Sequence, residues 1–117
     1  MLGRFEAAAC PISSTEILIV GGYLWDSSTI GVTKLMDAVI FDTVRMTAKV
    51  AIEAIEGLPD VGGDMRYIGG RRAILWACND DRACVVRFTY HHDGLKYEIM
   101  ETVELDKMPE QECEEYY

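Results

Sequence analysis

His91-His92-Asp93 sets two imidazoles beside a carboxylate, the residue types that ligate a metal or move a proton. Adjacent residues of a strand point to opposite faces, so the two histidines do not share one ligand sphere. The run is expected to lead into a turn at Asp93-Gly94. Asp80-Asp81 offers oxygen ligands without the spacing of a calcium loop and is expected to be a turn as well. Gly62-Gly63 and Gly69-Gly70-Arg71-Arg72 combine close backbone approach with positive charge, which suits an anion. The strand, loop and helix order of a phosphate site is missing around both, so turns between units are expected there. Ser13-Ser14-Thr15 and Ser27-Ser28-Thr29 supply hydroxyls, but no G-x-S-x-G elbow and no placed histidine activates them. Cys10, Cys78, Cys84 and Cys113 have no paired metal spacing and are expected to be reduced, partly buried thiols. A bridge from Cys78 to Cys84 across Asn79-Asp80-Asp81-Arg82 is the one conceivable pairing. No catalytic residue, no metal site and no cofactor is expected, and the chain is not expected to be an enzyme.

The residues with the most to offer a partner are Tyr23, Leu24, Trp25 and Asp26. A loop exposing Tyr and Trp presents rigid apolar area of the kind that dominates binding hot spots. The alternative is that Trp25 tucks into its own sheet.

Charge narrows the partner class. The formal net charge is −9, and residues 98 to 117 hold eight acids and one base, so the body of the chain is near neutral and its end strongly acidic. Nucleic-acid binding draws on clustered Lys and Arg, and no such cluster exists here. No run approaches the roughly 18 apolar residues that span a bilayer. Met1 to Ile12 lacks the long apolar region of a signal peptide. An intracellular, cytoplasmic protein that binds neither nucleic acid nor membrane is expected, with residues 107–117 as an acidic tail.

The elements that would position these residues read as strands. Glu16-Ile17-Leu18-Ile19-Val20 is an apolar run stopped by Gly21-Gly22, and Asp37-Ala38-Val39-Ile40-Phe41-Asp42 is a second one. From Thr43 to Glu56 two periods compete. Helical spacing groups Val44, Ala48, Ala51, Ile52 and Ile55, whereas period two groups Val44, Met46, Ala48, Val50 and Ile52. The strand reading is preferred because only Ala51 breaks the alternation. Ala73 to Cys78 and Cys84 to Tyr90 read as a hairpin, and Lys96 to Leu105 continues as a strand after Asp93-Gly94.

These segments repeat. Placing Phe41 on Tyr90 is an offset of 49, and placing Glu16 to Val20 on Arg72 to Trp76 is an offset of 56, with Tyr23 to Leu35 as a longer loop in the first copy. Phe5 to Ile12 and Asp64 to Ile68 supply a fourth strand to each copy. A period near 50 with four strands is the signature of propeller blades. Ile17-Leu18-Ile19-Val20-Gly21-Gly22 followed by Asp37 to Asp42 resembles the kelch repeat, an apolar strand ending in a double glycine and then a strand ending in an aromatic and an aspartate. The tryptophan of that repeat is here Ala48 in one copy and Tyr97 in the other, and Ala77-Cys78 replaces the second double glycine.

The expectation is therefore an all-β chain of two four-stranded antiparallel units, residues 1–56 and 57–106. Gly21, Gly22, Phe41, Asp42, Asp93 and Gly94 are its structural residues. Two blades do not close a ring that takes at least four. The resemblance thus implies a protein-interaction or structural assembly module that works with a protein partner or as a homo-oligomer. A small acidic inhibitor or decoy that binds a basic enzyme surface is the alternative.

Overall fold

The computed structural model describes residues 4–26, 31–58, 63–79 and 82–104, and among them the chain is all β. In chain order the strands are β1 (Arg4–Phe5), β2 (Ala8–Pro11), β3 (Glu16–Val20), β4 (Tyr23–Asp26), β5 (Gly31–Lys34), β6 (Ala38–Asp42), β7 (Thr47–Ile52), β8 (Asp64–Gly69), β9 (Arg72–Cys78), β10 (Arg82–His91) and β11 (Gly94–Glu104). They form two four-stranded antiparallel sheets, β2-β3-β6-β7 and β8-β9-β10-β11, and a small sheet β1-β4-β5. Each large sheet is a meander in sequence order, interrupted in the first case by β4 and β5.

The contested segment 43–56 is a turn over 43–46 and a strand only from Thr47. Met46 takes a left-handed φ of 56° there, and the Asp42 carboxylate accepts the amides of Val44 (2.9 Å) and Arg45 (3.1 Å). Those bonds, that from Arg45 first, hold the Asp42 carboxyl below the usual carboxylate range. The helix reading fails because Val44 and Met46 belong to this turn and are exposed. The expected loop Tyr23 to Leu35 contains a hairpin instead, with Trp25 opposite Val32.

The remaining turns explain the glycine-rich motifs. Gly70 and Arg71 are the two central residues between β8 and β9, and both lie at positive φ (62° and 58°). That is the left-handed conformation which matches the twist of a two-residue hairpin, so the run is a turn and not an anion cradle. Between β10 and β11 the central pair is His92-Asp93, and Gly94, at φ 140°, closes the turn opposite His91. Cys78 and Cys84 are not opposite each other: Cys84 pairs with Ala77 and Cys78 with Ala83. Cys78 is exposed and Cys84 buried, so they occupy opposite faces and do not bridge. Burial pushes the Cys10 and Cys84 thiols up, away from the reactive thiolate.

The two meanders share one apolar layer. Ala8, Cys10, Leu18, Val20, Ala38 and Ile40 of the first sheet meet Met65, Ala73, Leu75, Ala77, Cys84, Val86, Phe88 and Leu95 of the second, while Ile12, Ile55 and Leu58 come from the connecting segments. Phe88 is wholly buried and sits 6.4 Å from the Tyr97 ring, centroid to centroid.

β2 lies against β8 and β7 against β11. At one end, Tyr90, at the close of β10, donates its phenol to Glu16, at the start of β3, at 2.6 Å. The first strand therefore stacks on the first and the fourth on the fourth, with both sheets running in the same direction. The sheets are related by a step along the stack and not by a twofold axis.

That register corrects the repeat. Leu18 opposite Ile40 corresponds to Ile74 opposite Arg87, and Ile40 opposite Lys49 to Arg87 opposite Glu98. With Glu16 to Val20 kept on Arg72 to Trp76, Phe41 falls on Phe88 and not on Tyr90, two residues from the position that sequence spacing suggested, while Lys49 on Glu98 keeps the offset of 49.

One shared layer predicts one unfolding transition. Leu18→Ala and Phe88→Ala, from different sheets, should shift the same urea transition to lower concentration, with losses of about 2–5 and about 3–5 kcal/mol of stability respectively. Two separated transitions would mean two independent cores. The Glu16–Tyr90 bond predicts an alkaline effect. The hydrogen bond that the phenol donates to Glu16, then burial and the negative charge of Glu16, raise the Tyr90 phenol above its ordinary value near 10. Its stabilisation is therefore complete below pH 10 and lost as pH rises through the folded value. Tyr90→Phe should cost about 1 kcal/mol near neutral pH and flatten the loss of stability above pH 10, measured by urea titration at each pH.

Candidate interaction site

The β4–β5 hairpin leaves the first sheet through Gly21-Gly22, whose φ values of 68° and 92° are left-handed. An added Cβ on Gly21 would meet only ordinary contact, 3.5 Å from the Leu35 carbonyl oxygen, so it is the backbone conformation that calls for glycine there. The neck is closed by two backbone bonds, Gly21 N to Asp37 O at 3.0 Å and Leu35 N to Gly22 O at 2.9 Å.

Arg4 locks this neck from outside. Its guanidinium donates to the Gly21 carbonyl at 2.9 Å and to both carboxylate oxygens of Asp37 at 2.6 and 3.1 Å. Both side chains of the pair are largely buried, 12% and 17% exposed. A two-pronged, partly desolvated pair of this kind fixes orientation as well as distance. The double glycine of the sequence motif is thus the pivot of the hairpin, and Arg4 and Asp37, which no motif singled out, are its clamp.

On the hairpin, Tyr23 is opposite Lys34, Leu24 opposite Thr33, Trp25 opposite Val32 and Asp26 opposite Gly31. Strand alternation puts Tyr23, Trp25, Val32 and Lys34 on one face, and Leu24 with Thr33 on the other. The four consecutive candidates are therefore divided between faces. Trp25 is 54% and Val32 49% exposed, forming an aromatic and β-branched cross-strand pair open to solvent. Val32 and Lys34 were missed in the sequence, although Val32-Thr33 carries a β-branched signal after Gly31.

The other candidates fall elsewhere. Phe41 lies on the outer face of the first sheet and Asp42 caps the β6–β7 turn; Asp93 and Gly94 belong to the β10–β11 turn. Those two turns flank a cleft of about 400 Å³ lined in part by Glu16, Asp42, Arg45, Lys49, Tyr90 and His92. Its charges are of both signs, and the Tyr90 phenol is committed to Glu16 with the Arg71 guanidinium 4.7 Å from its ring centre. His91 and His92 are exposed on the turn. Among the described residues no group of three or more His, Cys, Asp and Glu is placed to hold a metal ion. Asp80-Asp81, Ser27-Ser28-Thr29, Gly62, Cys113 and the acidic tail lie outside the described residues. Among the described residues no helix is long and apolar enough to cross a membrane.

Comparison with known proteins gives no match, either to a protein-family model or to a curated protein sequence. What the geometry defines is the class: an all-β chain of two stacked four-stranded meanders carrying a clamped hairpin with an exposed Trp25–Val32 pair.

The clamp predicts that Arg4→Met costs about 1.5–3 kcal/mol, since it leaves Asp37 without its guanidinium. Amide exchange in Gly21 and Leu35, at the neck, should quicken in that variant more than in β9 or β10. Equal change across all strands would make Arg4 a general stabiliser and not a clamp.

Proposed function

We propose that the chain is a non-enzymatic protein-interaction module that engages a protein partner through the Trp25 face of the β4–β5 hairpin. The observation that carries this reading is the exposed Trp25–Val32 pair on a hairpin whose base is held by Arg4 and Asp37. Leaving a tryptophan and a valine in water forgoes about 1.5–3 kcal/mol each, which a fitted partner recovers. A rigid base lowers the ordering cost of binding. Lys34 on the same face suits a partner whose apolar pocket is rimmed by a carboxylate. The kelch resemblance points the same way, toward a module that works within a larger complex, by analogy of fold. The cell compartment expected from the sequence is cytoplasmic.

Trp25→Ala should cost no more than about 1 kcal/mol of stability, the worth of a solvent-exposed cross-strand pair. The same change should weaken partner binding by about 2 kcal/mol or more, roughly 30-fold. The check is capture from an extract of the source cells with the parent and with Trp25→Ala and Val32→Ser proteins, followed by mass spectrometry. A protein enriched on the parent and lost on both variants supports the reading. Identical capture profiles contradict it.

A further inference from the structure

The step that relates the two meanders has an unsatisfied end on each side. In a stack of equivalent sheets, the face that one sheet turns inward corresponds to the face the next turns outward. The inner residues of the second sheet, Ala73, Leu75, Val86, Phe88, Tyr97 and Ile99, correspond to Ile17, Ile19, Val39, Phe41, Ala48 and Val50 on the outer face of the first. All six outer counterparts are apolar. An outward face with one solvated side would alternate to polar residues at these positions. Instead this face is written like a core face. Val39 is already covered within the chain, at 2% exposed, whereas Val50 is 53% exposed, and Val39, Phe41, Met46, Ala48 and Val50 line a depression of about 390 Å³ beside Arg4.

The other end is apolar at its middle and charged at its margin, where Arg87 pairs with Glu98 at 2.8 Å. The outer face of the second sheet carries Ile74, Trp76, Val85 and Arg87, the counterparts of Leu18, Val20 and Ile40 and their neighbours in the shared layer. Trp76 is 45% exposed. Trp76, Val85 and Val103 line a second apolar depression of about 270 Å³. The β10–β11 register shift beside Val85 and Val86 is what turns Val103 to this side. Within one chain, the first kind of face already packs on the second kind through the shared layer. A second copy of this chain supplies both faces in the same geometry.

We propose that copies of the chain stack head to tail, the outer face of the second sheet, centred on Trp76 and Val85, seating on the outer face of the first sheet, centred on Phe41, Ala48 and Val50, of the next copy. The contact is heterologous, so it closes into a ring or continues as a filament. Because four to eight stacked four-stranded sheets close a ring, the expected assembly holds about two to four copies. Each contact repeats the internal step, with Arg4 of β1 at the border of the docking face. This inference does not rest on the hairpin's binding role.

The test is the full chain in sedimentation velocity and light scattering at several concentrations. The parent should assemble with a mass of two to four times 13.1 kDa. Val50→Glu and Trp76→Glu, each removing one of the two faces, should each be monomeric and retain the parent's circular dichroism. An equimolar mixture of the two should form a one-to-one dimer, because one intact pair of faces remains. Ala48→Arg and Val85→Glu form a second pair should either of the first fail to fold. Trp25→Ala should assemble like the parent, which separates this proposal from the hairpin reading. A monomeric parent at all concentrations overturns it. So does an assembly that survives both single changes, or a mixture that stays monomeric, which would mean a twofold contact instead.

Discussion

The apolar layer between the two meanders is the interaction on which the remaining structure depends. A single four-stranded sheet of this size has no way to shield an apolar face, and each of these sheets uses the other as its cover. Phe88, Leu18, Leu75, Val86, Ile12 and Ile55 are at most 1% exposed within it. Everything polar is pushed to the margins of that layer. Among the described residues no polar or charged residue is buried, and no buried side-chain nitrogen or oxygen lacks a hydrogen-bond partner. The Glu16–Tyr90 bond is at the rim of the layer and fixes which ends of the two sheets meet, so it selects the step relation over a twofold one.

The hairpin depends on the same layer indirectly. β3 and β6 are adjacent and fully committed to the core through Leu18, Val20, Ala38 and Ile40, so the segment between them must leave the sheet and return within a short distance. Two left-handed glycines and the Arg4–Asp37 pair achieve that exit and hold it. The result is a rigid base carrying the exposed Trp25–Val32 pair, which is the physical content of the interaction reading.

Much of this fold was legible because its cues are local. The runs Glu16 to Val20 and Ala38 to Phe41, and the alternation through Cys84 to Tyr90, all became strands, as did Asp64 to Ile68. The expected strand Phe5 to Ile12 instead breaks at Glu6, φ 59°, so that only Ala8–Pro11 joins the first meander and Phe5 pairs in the small sheet. Errors arose where a local cue was shared by two structures. Val44 and Met46 fit the period of a strand, but the Asp42 carboxylate captured the following amides and made a turn. The repeat offset slipped by two residues because a shift of two preserves which face each side chain takes, and only backbone pairing distinguishes it. Within the candidate site, Trp25 was visible and Val32 was not, since their pairing depends on a hairpin that sequence spacing had read as loop. The Arg4–Asp37 clamp joins residues 33 apart, and nothing local announces it.

The step relation between the sheets is the central claim, because the core, the corrected repeat and the exposed apolar faces all follow from it. Nuclear Overhauser spectroscopy on isotope-labelled protein tests it most directly. The account predicts cross-peaks between the Tyr90 ring and the Glu16 side chain, and proximity of the Asp42–Thr47 turn to the His92–Gly94 turn. Cross-peaks placing the Asp42–Thr47 turn beside Asn79 and Arg82, at the opposite end of the second sheet, would contradict it.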